Sequence, residues 1–434
     1  MQNLKESKIF KKYLVYTSML VLSTAIILFF SVLIFEGGNF VINSYKGYRQ
    51  RELLAFVNGT SEQQGFVYDL ENSIFKTIDN IGQYFEGGSE EGTTTEGIDA
   101  VISKKIDPEL LNQILSNQAT STASTSEIQY VIFSFDGSRS IKMWNETRQF
   151  AKEMISKGKP LHFSYFINPI YLITKEVAMK TYQPPRATLG SSLIGYADSE
   201  QDVKDRVEQI NLAYSEGNEI GSHNVGHFNG VKWTHDEWLQ ESNSFDSIMA
   251  NVQKNNPNTV IPAWTFDTTK IAGFRAPELG VNNNLYKVLA EKKYLYDASG
   301  MRMPNKYPVK DSNGIWHIGL GIIKMKDAGT SHYVLSMDYN FWMLQSNVKN
   351  VAKKGTPLWD KFFKEVTGAY EDYFNKNYNG NHAPVVIGHH FSSWNDGVYW
   401  ESMKAFAEDV CGKPKVKCVT FKEYVDYLDK STVK

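Results

Sequence analysis

Two histidines four residues apart, His223 and His227, are the residues whose type and spacing indicate chemistry most directly. In a turn of helix, positions i and i+4 lie on one face, with Cβ atoms about 5–6 Å apart. Neutral imidazole is a common ligand of Zn²⁺ and other divalent metals. The spacing alone is weak evidence, since solvated pairs also arise by chance. If residues 223–227 form a turn of helix, the two imidazoles can bind a single metal ion, and the residues around the pair must decide whether they do.

Three further polar residues end predicted strands. They are Asp136, Arg275 and His389, which follow the apolar runs 128–135, 271–274 and 385–388. Each also has an ordinary structural interpretation, as a turn residue, a surface ion-pair former and a core histidine. Enzymes with parallel strands carry their chemistry at the carboxyl ends of those strands. Under that rule we expect the three residues to lie near the histidine pair.

The elements that must position these residues alternate along the chain. Strands are predicted at 128–135, 161–167, 271–274, 385–388 and 416–421, and helices at 143–157, 203–216, 238–251, 284–293 and 400–410. Such alternation is typical of α/β proteins with a mostly parallel sheet, either open or closed into a barrel.

Five short motifs, in this order, resemble those of the polysaccharide deacetylase family, the NodB-type carbohydrate esterases of family four. The resemblance covers roughly residues 128–428. The motifs are Ser134-Phe135-Asp136-Gly137-Ser138, the run from Glu219 to His227, Arg275-Ala276-Pro277, Tyr296-Asp297-Ala298-Ser299, and Ile387-Gly388-His389. The resemblance implies a distorted (β/α) barrel of the NodB-homology type.

The resemblance also implies metal-dependent hydrolysis of N-acetyl groups on amino sugars. An amide is a poor electrophile, so a metal must polarise its carbonyl and activate a water molecule. In this assignment His223 and His227 hold the metal, expected to be Zn²⁺ with another divalent ion as the alternative, and Asp136 is the base that takes the proton of the water. Arg275 would orient Asp136 through a charge-assisted pair.

The departing amine needs a proton, and the resemblance assigns the acid to His389. The neighbouring His390 is the alternative, although on a strand it would point the other way.

Gly137 departs from the family pattern, which has two adjacent aspartates, a base followed by a metal ligand. Without a gap, Asp136 is the base and the ligand is missing. Shifted by one residue, Asp136 becomes the metal ligand and the base is missing. The ungapped register keeps the match at Ser134-Phe135, and Arg275 is present to serve a base, so the base is favoured, while both assignments stay open from sequence.

The N-terminal part indicates a membrane anchor. Lysines in residues 1–12 precede an uncharged run, 13–35, that is long enough to cross a bilayer. The positive flank predicts a cytoplasmic tail at 1–12 and places the rest outside the cytoplasm, in the periplasm or at the cell surface. The polar, low-complexity region 36–126 is interpreted as a partly disordered stalk, and 127–434 as the catalytic domain.

Net charge and the two cysteines give two further expectations, one about partners and one about the cellular compartment. The net charge is −2 and there is no basic run, which argues against a nucleic-acid partner. Cys411 and Cys418 flank a predicted turn between a helix and a strand. A disulfide between them would fit an exported domain, and the sequence leaves that question open.

The remaining predictions concern the surroundings of the cleft. The segment Lys175–Asp202 is expected to be a loop over it, Asn224 and His235 to lie at the surface, and Trp233, Trp342 and Trp394 to pack in the core. The predicted substrate is a cell-wall or surface polysaccharide, with peptidoglycan first. Two alternatives stay open: a deacylase or deformylase of a lipid-linked amino sugar, and a catalytically silent carbohydrate-binding relative.

Overall fold

The structure, a computed structural model, describes residues 127–327 and 330–432. The predicted tail at 1–12, membrane segment at 13–35 and stalk at 36–126 lie outside the described residues. Within the described ranges, no helix has the length and apolar character needed to cross a bilayer.

Strands and helices alternate through the described residues, as the sequence predicts. The strands are β1 (Gln129–Asp136), β2 (Phe163–Ile167), β3 (Glu219–Ser222), β4 (Gly273–Phe274), β5 (Tyr296–Asp297), β6 (Met301–Arg302), β7 (Val309–Lys310), β8 (Trp316–His317), β9 (Leu320–Asp327), β10 (Thr330–Leu335), β11 (Val385–His390) and β12 (Val416–Val419). The α-helices are α1 (Ile141–Ser156), α2 (Lys175–Thr181), α3 (Glu200–Ser215), α4 (His235–Ala250), α5 (Val252–Asn255), α6 (Asn283–Glu291), α7 (Asp338–Ser346), α8 (Pro357–Tyr378), α9 (Trp394–Val410) and α10 (Phe421–Thr432).

One curled sheet organises the domain. Its strand order is β11-β1-β2-β3-β4-β5-β8-β7, parallel except for the last pair, and β12 also pairs with β1. A second sheet, β10-β9-β6, meets β11 through a bridge between Met337 and Gly388. The structure therefore confirms an α/β fold with a curled parallel sheet.

Both faces of the central strand β1 are buried, which explains its continuous apolar sequence. Because side chains alternate between faces, Tyr130 and Ile132 enter the interior of the curl, where a core cluster includes Phe166 and Tyr296. Phe133 and Phe135 face the helices instead, and Phe135 packs 5.7 Å from the ring of Trp400 on α9. The sheet thus has a layer of helices outside and a core inside.

A buried carboxylate, Glu219, joins several elements inside the curl. It accepts hydrogen bonds from Ser164 Oγ and Tyr296 Oη, both at 2.7 Å, and from the backbone N of Lys422 at 3.0 Å. Burial raises the pKa of Glu219 above its usual range, against the opposing effect of these bonds. The glutamate of the histidine motif therefore has a structural role, at the start of α10.

A disulfide joins Cys411, at the end of α9, to Cys418 in β12, with Cα atoms 5.7 Å apart. The intervening segment is the helix-to-strand turn predicted from Gly412 and Pro414. The disulfide ties the last strand to the helix that covers β1.

Two hypotheses about local structure drawn from the sequence are wrong. Residues 223–227 do not form a helical turn, because β3 leads into them and His223 N donates to Ile167 O of β2 rather than to a helical acceptor. The backbone then turns through left-handed φ values at Asn224 (52°) and His227 (62°). Lys175–Asp202 is not wholly a loop: it begins with α2, whose N-terminus is capped by Thr174 Oγ1, and runs into the start of α3.

Candidate functional site

Polar side chains from neighbouring strands meet at the carboxyl edge of the curled sheet. Asp136 ends β1 and is the register partner of His390, which ends β11. Register partners in parallel strands project to the same face. His223 and Arg275 follow β3 and β4, and Arg275 N donates to Ser222 O at 2.9 Å. We call these four residues, with Asn168 after β2, the mouth of the sheet.

Asp136 and Arg275 form a fully desolvated ion pair. Arg275 Nη1 donates to Asp136 Oδ1 at 2.7 Å, and the two side chains are 0% and 2% exposed. Arg275 Nε also donates to Ala298 O, and its guanidinium lies 4.4 Å from the ring centroid of Phe166. A charge-assisted bond of this kind fixes the orientation of the carboxylate. The sequence expectation that Arg275 contacts Asp136 is met.

The two histidines are close and are held in the neutral form. Their ring centroids lie 5.0 Å apart. His223 Nδ1 is 2.8 Å from Arg275 O, so it must donate to that carbonyl, which leaves its Nε2 with a free lone pair. Burial lowers the pKa of His223 despite the nearby charge of Asp136, and burial together with His223 lowers that of His227 well below its usual value.

A divalent metal fits this pair of imidazoles, but a third acidic ligand is not beside them. Neutral, buried imidazoles are the form that binds metal, and His227 Nδ1 has no hydrogen-bond partner within residues 127–327 and 330–432. Across the same residues, no three His, Cys, Asp or Glu side chains form a group that could hold a metal. Asp136, predicted as an alternative ligand, is engaged by Arg275 instead.

Two buried asparagines lie against the histidine pair. Asn168 Nδ2 donates to His223 O at 2.5 Å, while its Oδ1 has no partner among the described side chains and backbone. Asn224 is 0% exposed, so its predicted surface position is wrong, and neither of its side-chain amide atoms has a partner in the described part of the chain. Buried unpaired amides are costly, so both need an explanation.

His390, rather than His389, lies at the mouth. Its Nδ1 is 2.8 Å from Asp338 Oδ1, and its backbone N donates to Asp338 Oδ2 at 2.9 Å. Burial would lower the pKa of His390, but the charge and hydrogen bond of Asp338, with the charge of Asp136, outweigh burial and raise it. The structure therefore gives His390 the environment of an imidazole kept protonated by a carboxylate.

His389 projects to the opposite face of β11, as alternation along a strand requires. Its Nε2 is 2.8 Å from the Tyr370 hydroxyl, and its ring packs edge-on against Phe135. Burial lowers its pKa to about 4. The structure does not bring His389 to Asp136 and the histidine pair.

Two supporting residues escaped the sequence analysis, Asp338 and Glu241. Asp338 begins α7 inside an otherwise apolar stretch, which was a usable signal. Glu241 lies on α4 and gave no signal. Glu241 Oε1 accepts from Val225 N at 3.0 Å and Gly226 N at 3.2 Å, and both its oxygens contact the Tyr182 hydroxyl. Burial raises its pKa to about 7, although these bonds oppose the shift.

The remaining predicted cleft residues are structural. Trp233, Trp342 and Trp394 are all buried, as expected, and the last two stack with ring centroids 4.1 Å apart. Trp394 lies 5.6 Å from the ring of His390 and so backs the mouth. His235 lies at the start of α4 and contacts Glu291 near the surface.

No family model and no curated protein matches this chain. Among solved structures, it is similar to a protein from Mycobacterium smegmatis described as a polysaccharide deacetylase, with 15% identity, 73% of this chain and 96% of that chain covered, and a TM-score of 0.42. It is also similar to peptidoglycan deacetylase PdaC from Bacillus subtilis, with 12% identity, coverages of 70% and 94%, and a TM-score of 0.34. A third is BA3943, a CE4 family pseudoenzyme from Bacillus anthracis, with 9% identity, coverages of 69% and 66%, and a TM-score of 0.35.

Proposed function

We propose that this chain is a metal-dependent hydrolase that removes N-acetyl groups from amino sugars of a cell-wall or surface polysaccharide, peptidoglycan first. One observation carries the proposal. Asp136, held by Arg275, and His390, held by Asp338, are register partners that face the same mouth as a pair of neutral histidines. Metal-assisted amide hydrolysis uses a base, an acid and a metal ion that polarises the carbonyl. Asp136 and His390 supply the first two, and the two histidines would hold the third.

His223 and His227 would hold the metal, Zn²⁺ or another divalent ion. When bound, such an ion polarises the amide carbonyl and makes water acidic enough to attack near neutral pH. Both imidazoles offer lone pairs at neutral pH because burial lowers their pKa.

Asp136 is the base of the proposed reaction. Its Oδ1 is occupied by Arg275 Nη1, so its Oδ2 is the oxygen that takes the proton from the attacking water. Since the ion pair is desolvated, the carboxylate stays in one orientation while the substrate binds. Because Arg275 already binds the carboxylate of Asp136, we assign Asp136 as the base rather than as a metal ligand.

His390 is the acid. Its Nδ1 is bonded to Asp338, so its Nε2 is the position from which a proton passes to the departing amine nitrogen. The raised pKa of His390 keeps that proton in place at neutral pH. This assignment replaces His389, the residue that the family motif pointed to.

The proposed location is outside the cytoplasm, with the chain anchored by residues 13–35. The disulfide between Cys411 and Cys418 supports it, because such bonds persist mainly in oxidising compartments. An anchored enzyme facing the envelope would meet polymeric amino sugars directly.

Acetate release from N-acetylated substrates tests the proposal. The full chain, loaded with Zn²⁺ or Co²⁺, is incubated with peptidoglycan, chitin oligomers, surface polysaccharides and lipid-linked amino sugars. We expect acetate from a polymer, and Asp136→Asn should lower kcat about 10²–10⁴-fold because the base is lost.

Asp409→Asn is the matched control, since Asp409 is an exposed residue at the end of α9 that pairs with Lys413, whereas Trp394, which contacts His390, begins that helix. It should leave kcat unchanged. Acetate or formate only from the lipid-linked sugar would indicate the narrower substrate class. No product from any substrate despite bound metal would contradict the proposal and favour a silent carbohydrate-binding relative.

A further inference from the structure

We propose that Asn168 supplies the third protein ligand of the metal site through its Oδ1. It would replace the acidic ligand that the family pattern has at the position of Gly137. The inference rests on the proposed function, because it concerns the metal that the two histidines would hold. It assigns a role to a residue that no sequence motif marked.

The register of the sheet puts Asn168 between the base and the histidine pair. Phe166 of β2 is the register partner of Asp136, and Ile167 is the partner of Ser222. Asn168 continues β2 in an extended conformation, with φ −108° and ψ 107°. Asn168 therefore lies two residues beyond Phe166 on the same face of the sheet. Continuing the register of β2 and β3 places it opposite His223.

The hydrogen bonds of Asn168 determine which way its amide points. Its Nδ2 lies 2.5 Å from His223 O and 3.3 Å from Asn224 O. Both are carbonyl oxygens and accept only, so the amide nitrogen must face them. Oδ1 is left free, and it is buried without a partner in the described residues.

An unpaired buried carbonyl oxygen, on a side chain that is bonded to the backbone of His223, is what a metal ligand looks like before the metal is bound. Asn168 is 1% exposed, so bulk water does not satisfy it. Without a bound metal, this buried acceptor has no partner and destabilises the folded state. Carboxamide oxygens do bind divalent metals.

Gly137 has no side chain that could bind a metal, and within residues 127–327 and 330–432 no acidic side chain completes a three-ligand group with the histidines. Gly137 has a φ of 80° and its N donates to Phe166 O, so this position forms a turn. Asp136 is committed to Arg275. A neutral oxygen in the third position leaves the site more positive than two histidines and a carboxylate would. We therefore expect weaker binding of the metal than a carboxylate ligand would give.

Asn224 is the competing residue, because its buried amide is also unpaired. Unlike Asn168, it has no side-chain hydrogen bond that orients it, and it lies in the left-handed turn between the histidines. It is the matched control, an equally buried asparagine that follows the neighbouring strand β3.

The test measures metal affinity directly, on the full chain without substrate. Zn²⁺ and Co²⁺ dissociation constants are determined by competition with a chromophoric chelator, together with the visible spectrum of the Co²⁺ form. We expect Asn168→Ala to weaken binding about 10–100-fold and to change the Co²⁺ spectrum. Asn168→Asp should tighten binding about tenfold, because the ligand gains a charge. Asn224→Ala should stay within about threefold of the wild type.

Unchanged metal affinity and Co²⁺ spectrum in Asn168→Ala would overturn the inference. So would a loss of metal affinity in Asn224→Ala but not in Asn168→Ala. If Asn168→Ala fails to fold, Asn168→Asp decides, and equal or weaker affinity in it overturns the inference. A wild-type chain that binds no metal also overturns it. Metal binding that depends on Asn168 without acetate release would contradict only the proposed function, and acetate release with affinity independent of Asn168 would contradict only this inference.

Discussion

Asp338 is a buried carboxylate that accepts from the backbone N of Tyr339 in its own helix and otherwise bonds to the segment around His390. Its oxygens accept from the backbone N and Nδ1 of His390 and from Ser392 Oγ. Burial would raise the pKa of Asp338, but the two neighbouring histidines outweigh burial and lower it, so Asp338 stays charged. A charged, immobile carboxylate sets both the tautomer and the protonation of His390.

The decrease of kcat at high pH, the alkaline limb of its pH profile, should depend on the pair of His390 and Asp338. The pKa of folded His390 is raised by Asp338, so the acid form persists to higher pH than in a free histidine. Asp338→Asn removes the charge and should move the alkaline limb of kcat to lower pH by about one unit or more. The measurement is kcat for acetate release between pH 6 and 10.

His389→Gln is the control for this prediction, since His389 faces the other side of β11 and contacts Tyr370. It should lower thermal stability and leave the alkaline limb in place. An alkaline limb that moves in His389→Gln and stays in Asp338→Asn would return the acid role to His389.

The adjacent histidines His389 and His390 show one limit of prediction from sequence. The pattern located the pair at a strand end, which is correct. Which of the two faces the mouth depends on the register Asp136–His390, and that register is set by packing across the sheet. Asn168 was missed for a related reason: its role depends on two carbonyls from a distant loop.

At the scale of elements, α4 supports the histidine loop from behind. Glu241 on this helix accepts the N–H groups of Val225 and Gly226, which lie between the two histidines. The helix is itself well anchored, because Thr234 and Glu237 form a capping box at its N-terminus. The distance between the imidazoles is thus coupled to the position of α4.

Glu241→Ala should weaken Zn²⁺ binding about 10–100-fold, because the loop loses two hydrogen bonds that hold its shape. Glu241→Gln keeps an amide oxygen able to accept both N–H groups and should bind metal nearly as the wild type does. Chelator competition on the two variants makes the comparison. Equal weakening in both would mean that the charge of Glu241, and not its shape, is what matters.

Sequence patterns identified five helices and the longer parallel strands. They missed other regular elements, including α8, a helix of 22 residues, and the antiparallel pair of β9 and β10. The predicted helices and longer strands all occur with shifted ends, as amphipathic helices and apolar strands should. The two-residue strands β5 to β8 are too short to show periodicity, and they exist because neighbouring strands pair with them. The hypothesis of a helical turn at the histidines failed because spacing cannot distinguish a helix from a strand followed by a turn.

At the scale of the whole molecule, the disulfide closes the C-terminal end of the domain onto β1. Cys411 and Cys418 are nearly inaccessible, at 1% and 6% exposure, and are seven residues apart. β12 pairs with residues 129–132 of β1 and β11 pairs with residues 131–136, so Val131 and Ile132 have partners in both strands. The strand that carries Asp136 is therefore held by a late strand on each of its two edges.

Removing the disulfide should lower the free energy of unfolding by about 2–3 kcal/mol, the loop-closure contribution for a short loop. Urea denaturation of the wild type with and without reductant, beside the double variant Cys411→Ala, Cys418→Ala, measures it. The double variant should not respond to reductant. Identical curves for oxidised and reduced wild type would contradict the prediction.

The pairing of β1 with β11 also constrains how the chain can fold during synthesis. Gln129 Nε2 donates to Ala383 O across 254 residues, so one edge of β1 stays unpaired until almost the whole domain has been made. Until then an apolar strand is exposed to aggregation. Contacts this distant in sequence also slow folding. We therefore expect nascent domains to depend on chaperones that bind extended apolar segments.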